Sequence, residues 1–417
     1  MNWLLKKVVS RLIHTGSLKI TDPGGQVHHF GNGSGQPIHL IIRSSRAEWA
    51  IARNPWLAVP EAYMNSEMDF AEGDVIALLH LVYDNLNKAE TQPFLFRLSE
   101  SLGFLFRRLQ QINTAGRSRQ NVHHHYDLSG DLYRLFLDED MQYSCAYFEN
   151  PSVSLEEAQR AKKRHIAAKL DLRPGQKVLD IGCGWGGLGL YIAQQFDASV
   201  LGVTLSDEQH AVANRRARES GMEGKARFEI TDYRALTGPF DRIVSVGMFE
   251  HVGINHYQTF FDKCARLLAD DGVMLLHTIG RTSGPGVTAA FIRKYIFPGG
   301  YIPALSEVVP AIERAGLIVT DVEILRLHYA ETLKAWRERF MQNRAKAVEI
   351  YDERFARMWE FYLAGSEASF RWQDMVNFQI QITKRNDVLP ITRDYMDETE
   401  KALKAGAPRH AFPDAAE

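Results

Sequence analysis

Val178-Leu179-Asp180-Ile181-Gly182-Cys183-Gly184-Trp185-Gly186-Gly187 decides the fold of this chain. The stretch begins apolar, as a buried parallel strand requires. It ends in a cluster of glycines, and the mostly apolar run Leu188 to Ala193 then starts a helix. The order is strand, glycine-rich turn, helix. Glycine permits a sharp turn and lets a ligand lie against the main chain with no Cβ in the way. No Lys-Ser/Thr pair follows the glycines, so the turn is not a phosphate-binding P-loop. The glycines fall at 182, 184, 186 and 187, so the spacing is not G-x-G-x-x-G either. An ordinary tight βα turn has no use for this many glycines with an acid, Asp180, just ahead of them.

Outward from this stretch, strands and helices alternate, which implies a doubly wound, mainly parallel α/β sheet. Strands are expected at Val178–Ile181, Ser199–Thr204, Ala226–Thr231, Phe240–Val246, Gly272–Thr278, Leu317–Ile324 and Met375–Thr383. A helical insert at about 330–370 separates the last two and is long enough to cap a substrate pocket. Upstream, short strands are expected from Gly16 to about Leu57, with His39 to Arg43 among them. Pro60 to Glu90 reads as largely helical, and Phe94 to Ile112 as a further helix. The polar, basic stretch Thr114 to Gln120 reads as a linker. The expected organisation is a smaller α+β domain over 1–113, a linker over 114–120, a catalytic α/β domain over 121–395 and a tail over 396–417.

The formal charge of −2 gives no bulk argument for nucleic acid, so none is expected as a partner. Cys145, Cys183 and Cys264 lie far apart with no C-x-x-C pair, which argues against a disulfide scaffold or structural zinc and suits a reducing cytosol. No stretch has the roughly 20 apolar residues that span a bilayer. Met1 to Ile13 puts Leu4, Leu5, Val8, Val9 and Leu12 on one helix face, with Lys6, Lys7 and Ser10 opposite. Such a helix docks on its own domain first; lying on an anionic membrane surface is the second reading. Adjacent side chains point different ways, so His123, His124 and His125 are not expected to grip one ion, and no metal site is expected.

In a doubly wound sheet, ligands sit beyond the C-terminal strand ends where the strand order reverses. The candidates fall at such ends: Asp180 to Gly187, then Thr204-Leu205-Ser206 with Gln209, then Asp232-Tyr233. Gly247 to Gly253 and His277-Thr278-Ile279-Gly280 follow the fourth and fifth strands. Thr204 and Ser206 also suit a helix N-cap, with Ser206 the better cap. Asp232-Tyr233 taken alone reads as a solvated turn.

The acid followed by G-x-G-x-G resembles the nucleoside-binding first motif of class I S-adenosylmethionine (SAM) methyltransferases. The resemblance implies a seven-stranded Rossmann-like domain that holds SAM. Asp180, Gly182, Gly184 and Gly186 would wrap its amino-acid part. Thr204, Leu205, Ser206 and Gln209 would meet the ribose, and Asp232 and Tyr233 the adenine.

From about Asn121 to Thr392, H-Y-D-L-S, Y-S-C-A-Y-F, L-D-I-G-C-G-W-G-G, G-V-T-L-S, V-G-M-F-E-H-V-G, L-L-H-T-I-G and F-P-G-G-Y-I-P follow in order. Together they resemble the cyclopropane-fatty-acyl-phospholipid synthases and the related mycolic acid cyclopropane synthases. The resemblance implies methylenation of cis double bonds in phospholipid acyl chains, with bound bicarbonate as the base. It places Cys145, Glu250, His277, Ile279 and Tyr329 around the bicarbonate, and His125, Tyr126, Tyr143 and Ser144 in the SAM pocket. It implies a membrane phospholipid as partner, peripheral contact with the inner face of the membrane from the cytoplasm, and leaves a homodimer open. One position departs from the family. Tyr362 to Arg371 reads Y-L-A-G-S-E-A-S-F-R, with Ser366 where family members usually carry cysteine. A covalent thiol there is excluded, and a sibling reaction giving a methyl-branched or methoxy lipid gains weight. A catalytically silent SAM- or lipid-binding homologue is the third reading.

Overall fold

The computed structural model describes residues 1–88 and 129–406. The expected helix Phe94–Ile112, the linker 114–120, the histidine run, His125 and Tyr126 lie outside the described residues. The chain forms two compact units that do not follow chain order. One comprises Met1–Arg107, Val287–Pro298 and Leu333–Asp374; the other comprises Arg108–Gly286, Gly299–Thr332 and Met375–Glu417.

The first unit holds a four-stranded sheet of β1 (Ser17–Thr21), β2 (Val27–Phe30), β3 (Pro37–Ile42) and β4 (Met68–Glu72), ordered β2-β1-β3-β4. Burial alternates along β1 and β3, so Leu18, Ile20, Ile38, Leu40 and Ile42 face the core. Two expectations need correction. Ser45–Arg53 is a helix, not a strand; Ser44 caps it by accepting from the Ala47 N–H at 3.1 Å. Met68–Glu72 is a strand inside the stretch read as helical, because β3 offers it an antiparallel edge. Pairing of that edge overrides local propensity.

The long helix Glu353–Trp372 belongs to this unit and packs on the helices Pro55–Met64 and Val75–Lys88. Its Arg357 guanidinium donates to Tyr63 O at 2.6 Å, Met68 O at 3.1 Å and Asp69 Oδ1 at 3.2 Å. The Tyr63 hydroxyl donates to Glu360 Oε2 at 2.9 Å. The helical insert expected to cap a substrate pocket thus packs, over Glu353–Trp372, with the N-terminal strands and helices.

The second unit holds seven strands: β5 (Lys177–Ile181), β6 (Ser199–Thr204), β7 (Ala226–Ile230), β8 (Phe240–Val246), β9 (Leu268–Arg281), β10 (Ile318–Leu325) and β11 (Met375–Thr383). Their order is β10-β11-β9-β8-β5-β6-β7. β5 to β9 pair in parallel, and β11 and β10 close the edge antiparallel. β5 pairs with β6 on one side and β8 on the other, so the order reverses at the glycine-rich stretch. Alternate residues feed opposite cores. Leu179, Ile181, Ile243, Met274 and Leu276 pack with Phe249, Phe260 and Phe261. Val178, Val200, Val244 and Leu275 pack with Ile192, Phe196 and Phe228. One strand boundary moves. β9 runs on to Arg281 because β11 pairs with it from Val273 to Arg281, so Ile279 and Gly280 are strand residues, not a loop after it.

Candidate active site

At the end of β5 the chain turns on Gly182, Gly184 and Gly186, with φ of +83°, +54° and +83°. These are left-handed values that glycine adopts without strain. The Gly182 and Cys183 N–H groups donate to Val203 O at 2.9 and 3.1 Å, which ties the turn to β6. A Cβ at Gly182 would stand 2.8 Å from Met248 Cβ, and one at Gly186 would stand 2.9 Å from the Phe228 ring and Ala213 Cβ. These two glycines allow close packing. Gly184 differs: a Cβ there would meet nothing within 4 Å, so its main chain borders open space.

Asp180, beneath the turn, is buried, and its Oδ2 has no hydrogen-bond partner among the described residues. Burial pushes its pKa up to about 7, against the pull of the nearby Lys162 ammonium. Sequence reasoning missed Lys162. It is buried on the helix Leu155–Lys169 and donates to Gln142 Oε1 at 2.7 Å and Ser144 Oγ at 2.8 Å. Gln159, one turn earlier, donates to Gln142 O and Ser144 O at 3.2 and 3.1 Å. Lys163 donates to Asp140 Oδ2 at 2.5 Å. Three polar side chains of one helix thus clamp the loop that carries Tyr143, Ser144 and Cys145. The charged run Lys162-Lys163-Arg164-His165 is the signal the sequence offers, and a run of this kind ordinarily reads as a solvated face. Tyr143 packs edge-on against Tyr133, ring centroids 5.2 Å apart. The Cys145 side chain is fully buried, and burial pushes its thiol far up, so it is not a thiolate.

After β6, the Thr204 hydroxyl donates to Gln209 Oε1 at 2.8 Å, and Ser206 Oγ accepts from the Gln209 N–H at 3.3 Å. Ser206 is therefore the N-cap of the helix Asp207–Glu219. Leu205 between them is half-buried. After β7, Asp232 takes a two-pronged contact from Arg234, Nε at 2.9 Å and Nη2 at 2.5 Å. Tyr233 is half-buried edge-on to Phe260 at 5.5 Å.

After β8, Glu250 sits buried in a short 3₁₀ turn, Phe249–His251. Its Oε1 accepts from the Ile279 N–H at 2.6 Å, and its Oε2 has no partner among the described residues. Burial raises its pKa, partly offset by the Ile279 N–H. On β9, His277 is fully buried; its Nε2 lies 3.0 Å from Asn377 Nδ2 and its Nδ1 lies 3.1 Å from Gln379 Nε2, both on β11. Burial holds His277 neutral. Tyr329 is buried on the helix His328–Gln342. Nearby, Thr332 on that helix accepts from the Ala146 N–H at 3.0 Å, which joins it to the Cys145 loop.

Tyr143, Ser144, Cys145, Asp180, the glycines, Thr204, Leu205, Ser206, Gln209, Asp232, Tyr233, Glu250, His277, Ile279 and Tyr329 all belong to the second unit. Ser366 belongs to the first unit, half-buried on Glu353–Trp372. Among the described residues no group of His, Cys, Asp and Glu could hold a metal ion.

The sheet order and the glycine turn at its reversal define a Rossmann-like fold of SAM-methyltransferase type, which structural neighbours share. The chain belongs to the mycolic acid cyclopropane synthetase family, whose profile matches residues 113–380. A family described as a domain of unknown function matches residues 4–92. The chain is 43% identical over 260 residues to a cyclopropane-fatty-acyl-phospholipid synthase of Escherichia coli, covering 62% of this chain and 66% of that protein, a little under two thirds of its length. It is 39% identical over 348 residues to the tuberculostearic acid methyltransferase UfaA1 of Mycobacterium tuberculosis, covering 80% of each. The mycolic acid cyclopropane synthase CmaA1, crystallised with SAH and CTAB, superposes with a TM-score of 0.61 at 37% identity, covering 63% of this chain and 97% of that one.

Proposed function

We propose that this chain transfers the methyl group of SAM to a cis double bond of a phospholipid acyl chain and closes a cyclopropane ring. An isolated alkene is a poor nucleophile, but the sulfonium methyl is a strong electrophile. The alkene π electrons form the new C–C bond, the methyl–sulfur pair leaves with sulfur, and a carbocation remains. One C–H pair of the new methyl closes the ring as its proton departs. When bound, bicarbonate supplies the base for that proton and an anion beside the cation.

The carrying observation is Glu250. A buried carboxyl of raised pKa rests on the Ile279 N–H, and its turn packs through Met248 on the glycine turn. Burial favours the protonated form of Glu250, which can donate from Oε2 to an anion, and the Cys145 N–H and the Tyr329 hydroxyl are of the donor type an anion requires, while the Ile279 N–H is engaged in holding Glu250 Oε1. The inert Cys145 thiol fits a role for its backbone only. On the SAM side, Asp180 would accept from the amino-acid ammonium, with Tyr143, Ser144 and the open main chain at Gly184 against the same moiety. Thr204, Leu205, Ser206 and Gln209 would meet the ribose, and Asp232 and Tyr233 the adenine. The likeness to CmaA1, which was crystallised with SAH, supports a SAM site in this fold.

A second reading gives a methyl-branched or otherwise modified acyl lipid. It is favoured because UfaA1, matched over 80% of each chain, is a methyltransferase by name. The membrane would be a peripheral partner, reached from the cytoplasm. No helix among the described residues is long and apolar enough to cross it, and Trp3, Lys6, Lys7 and Arg11 share an exposed helix face.

The test is incubation with SAM, bicarbonate and cis-unsaturated phospholipid vesicles, followed by proton NMR of the lipids. Ring-methylene protons are expected at very high field; vinylic protons that persist beside a new methyl signal would favour the second reading. Glu250→Ala, which removes both the acceptor for the Ile279 N–H and the donor at Oε2, is expected to lose about a hundredfold or more in kcat while binding SAM normally, and Glu250→Gln, whose amide supplies both, to lose far less.

A further inference from the structure

β11 lies inside the sheet, yet alternate residues on it are polar. Asn377, Gln379, Gln381 and Thr383 are all buried. Two of them face the candidate site across β9: Gln379 is the register partner of His277, and Asn377 that of Ile279. Gln379 Nε2 lies 3.1 Å from His277 Nδ1, while Gln379 Oε1 accepts from the Lys169 ammonium at 2.7 Å. Lys169 is itself buried and anchored by Glu323, which His165 Nε2 also meets at 2.6 Å.

An ammonium has donors and no acceptor. Lys169 therefore dictates that the oxygen of Gln379 points towards it and the NH2 towards the imidazole. His277 Nδ1 must then accept. A neutral imidazole carries one proton, which leaves it on Nε2. The Nε2–H needs an acceptor, and the partner in reach among the described residues is the Asn377 amide at 3.0 Å. With its nitrogen turned to the ring, Asn377 leaves Oδ1 buried without a partner among the described residues. Rotating the amide by half a turn satisfies both groups, and such an assignment follows from hydrogen bonding.

We propose that Lys169 and Gln379 are positioning residues that lock His277 as its Nε2–H tautomer, with the Asn377 oxygen receiving that proton. The consequence for catalysis rests on the function proposed above. With the Nδ1 lone pair held by Gln379 and Nε2 already protonated, His277 cannot take the proton of the new methyl group. It serves as a fixed donor and dipole, and the base is another group.

The test uses the full chain labelled with 15N-histidine and no substrate. Long-range 1H–15N spectra locate the ring proton, and a His277→Gln difference spectrum assigns the signals. The expected result is a protonated Nε2 and a bare Nδ1 between pH 6 and pH 8 (about the range a free histidine titrates through). A proton on Nδ1, or an imidazolium in that range, overturns the proposal. Gln379→Glu is isosteric but offers the ring only acceptors, so the proton is expected to move to Nδ1. Gln379→Met, which offers the ring no amide, is expected to populate both tautomers. An unchanged wild-type pattern in either folded variant, judged by SAM affinity within about twofold, overturns the role of Gln379. In turnover, Gln379→Glu is expected to lower kcat at least about tenfold with KM for SAM unchanged. An Nε2–H wild type that makes no cyclopropane would sink the functional reading and leave the tautomer assignment standing.

Discussion

Asp180 shows how one residue joins burial to binding. Desolvation raises its pKa to about 7. Because the folded value lies above the unfolded one, this group's contribution to stability is fully present below about pH 4 and is lost as pH rises through 7. Ligand binding runs the other way. In the proposed site the Asp180 carboxylate would hold the SAM ammonium, so SAM affinity is predicted to fall up to about tenfold per pH unit below 7. Calorimetric titration at several pH values checks this, and Asp180→Asn is expected to flatten the profile. At this scale the turn at Gly182, Gly184 and Gly186 was legible, because the left-handed backbone it uses is what glycine is for, and Asp180 and Glu250 stood out by their places next to the glycines and after β8. Lys162, Gln379 and Asn377 were not: lysine and amides read as solvent-facing until the strands that bury them are in place. Ser206 was legible as a cap, and its capping bond is present.

Among the elements, the helix Leu155–Lys169 matters most, since Gln159, Lys162 and Lys163 hold the Tyr143–Cys145 loop. Lys162→Met keeps the bulk and removes the donor, leaving Gln142 Oε1 and Ser144 Oγ unpaired. A loss of about 2 kcal/mol in stability is predicted, with weaker SAM binding, measurable by denaturant melts and calorimetry. In the first unit, Arg357→Ala removes the buried guanidinium that donates to Tyr63 O, Met68 O and Asp69 Oδ1, leaving Tyr63 O with the Ser66 N–H. It is predicted to cost about 3 kcal/mol in denaturant unfolding, and Arg357→Lys to recover little, since an ammonium lacks the guanidinium fork. The seven strands of the larger sheet were readable because apolar runs between helix-forming segments have few other interpretations. β4 was not, since its pairing with β3 is a fact of tertiary structure that M-D-F-A-E does not announce.

For the whole molecule, chain order misleads about organisation. The residues of Glu353–Trp372 follow β10 in sequence yet belong with the N-terminal sheet, a partnership set by the buried Arg357 and Glu360 and invisible to any local pattern. The N-terminal helix is half legible: Leu5 is buried as its stripe implies, while Trp3 is 67% exposed beside Lys6, Lys7 and Arg11. That face predicts salt-sensitive binding to anionic vesicles, with Lys6→Gln and Lys7→Gln each weakening it about fivefold in a sedimentation assay. Equal binding to neutral vesicles would count against it. The central claim concerns the fate of the transferred carbon, and SAM carrying a trideuterated methyl group follows that carbon directly. Mass spectrometry and NMR of the lipid product should find a ring methylene bearing two of the three deuterons, the third lost to the base. A product that retains all three as an intact methyl group would contradict the account.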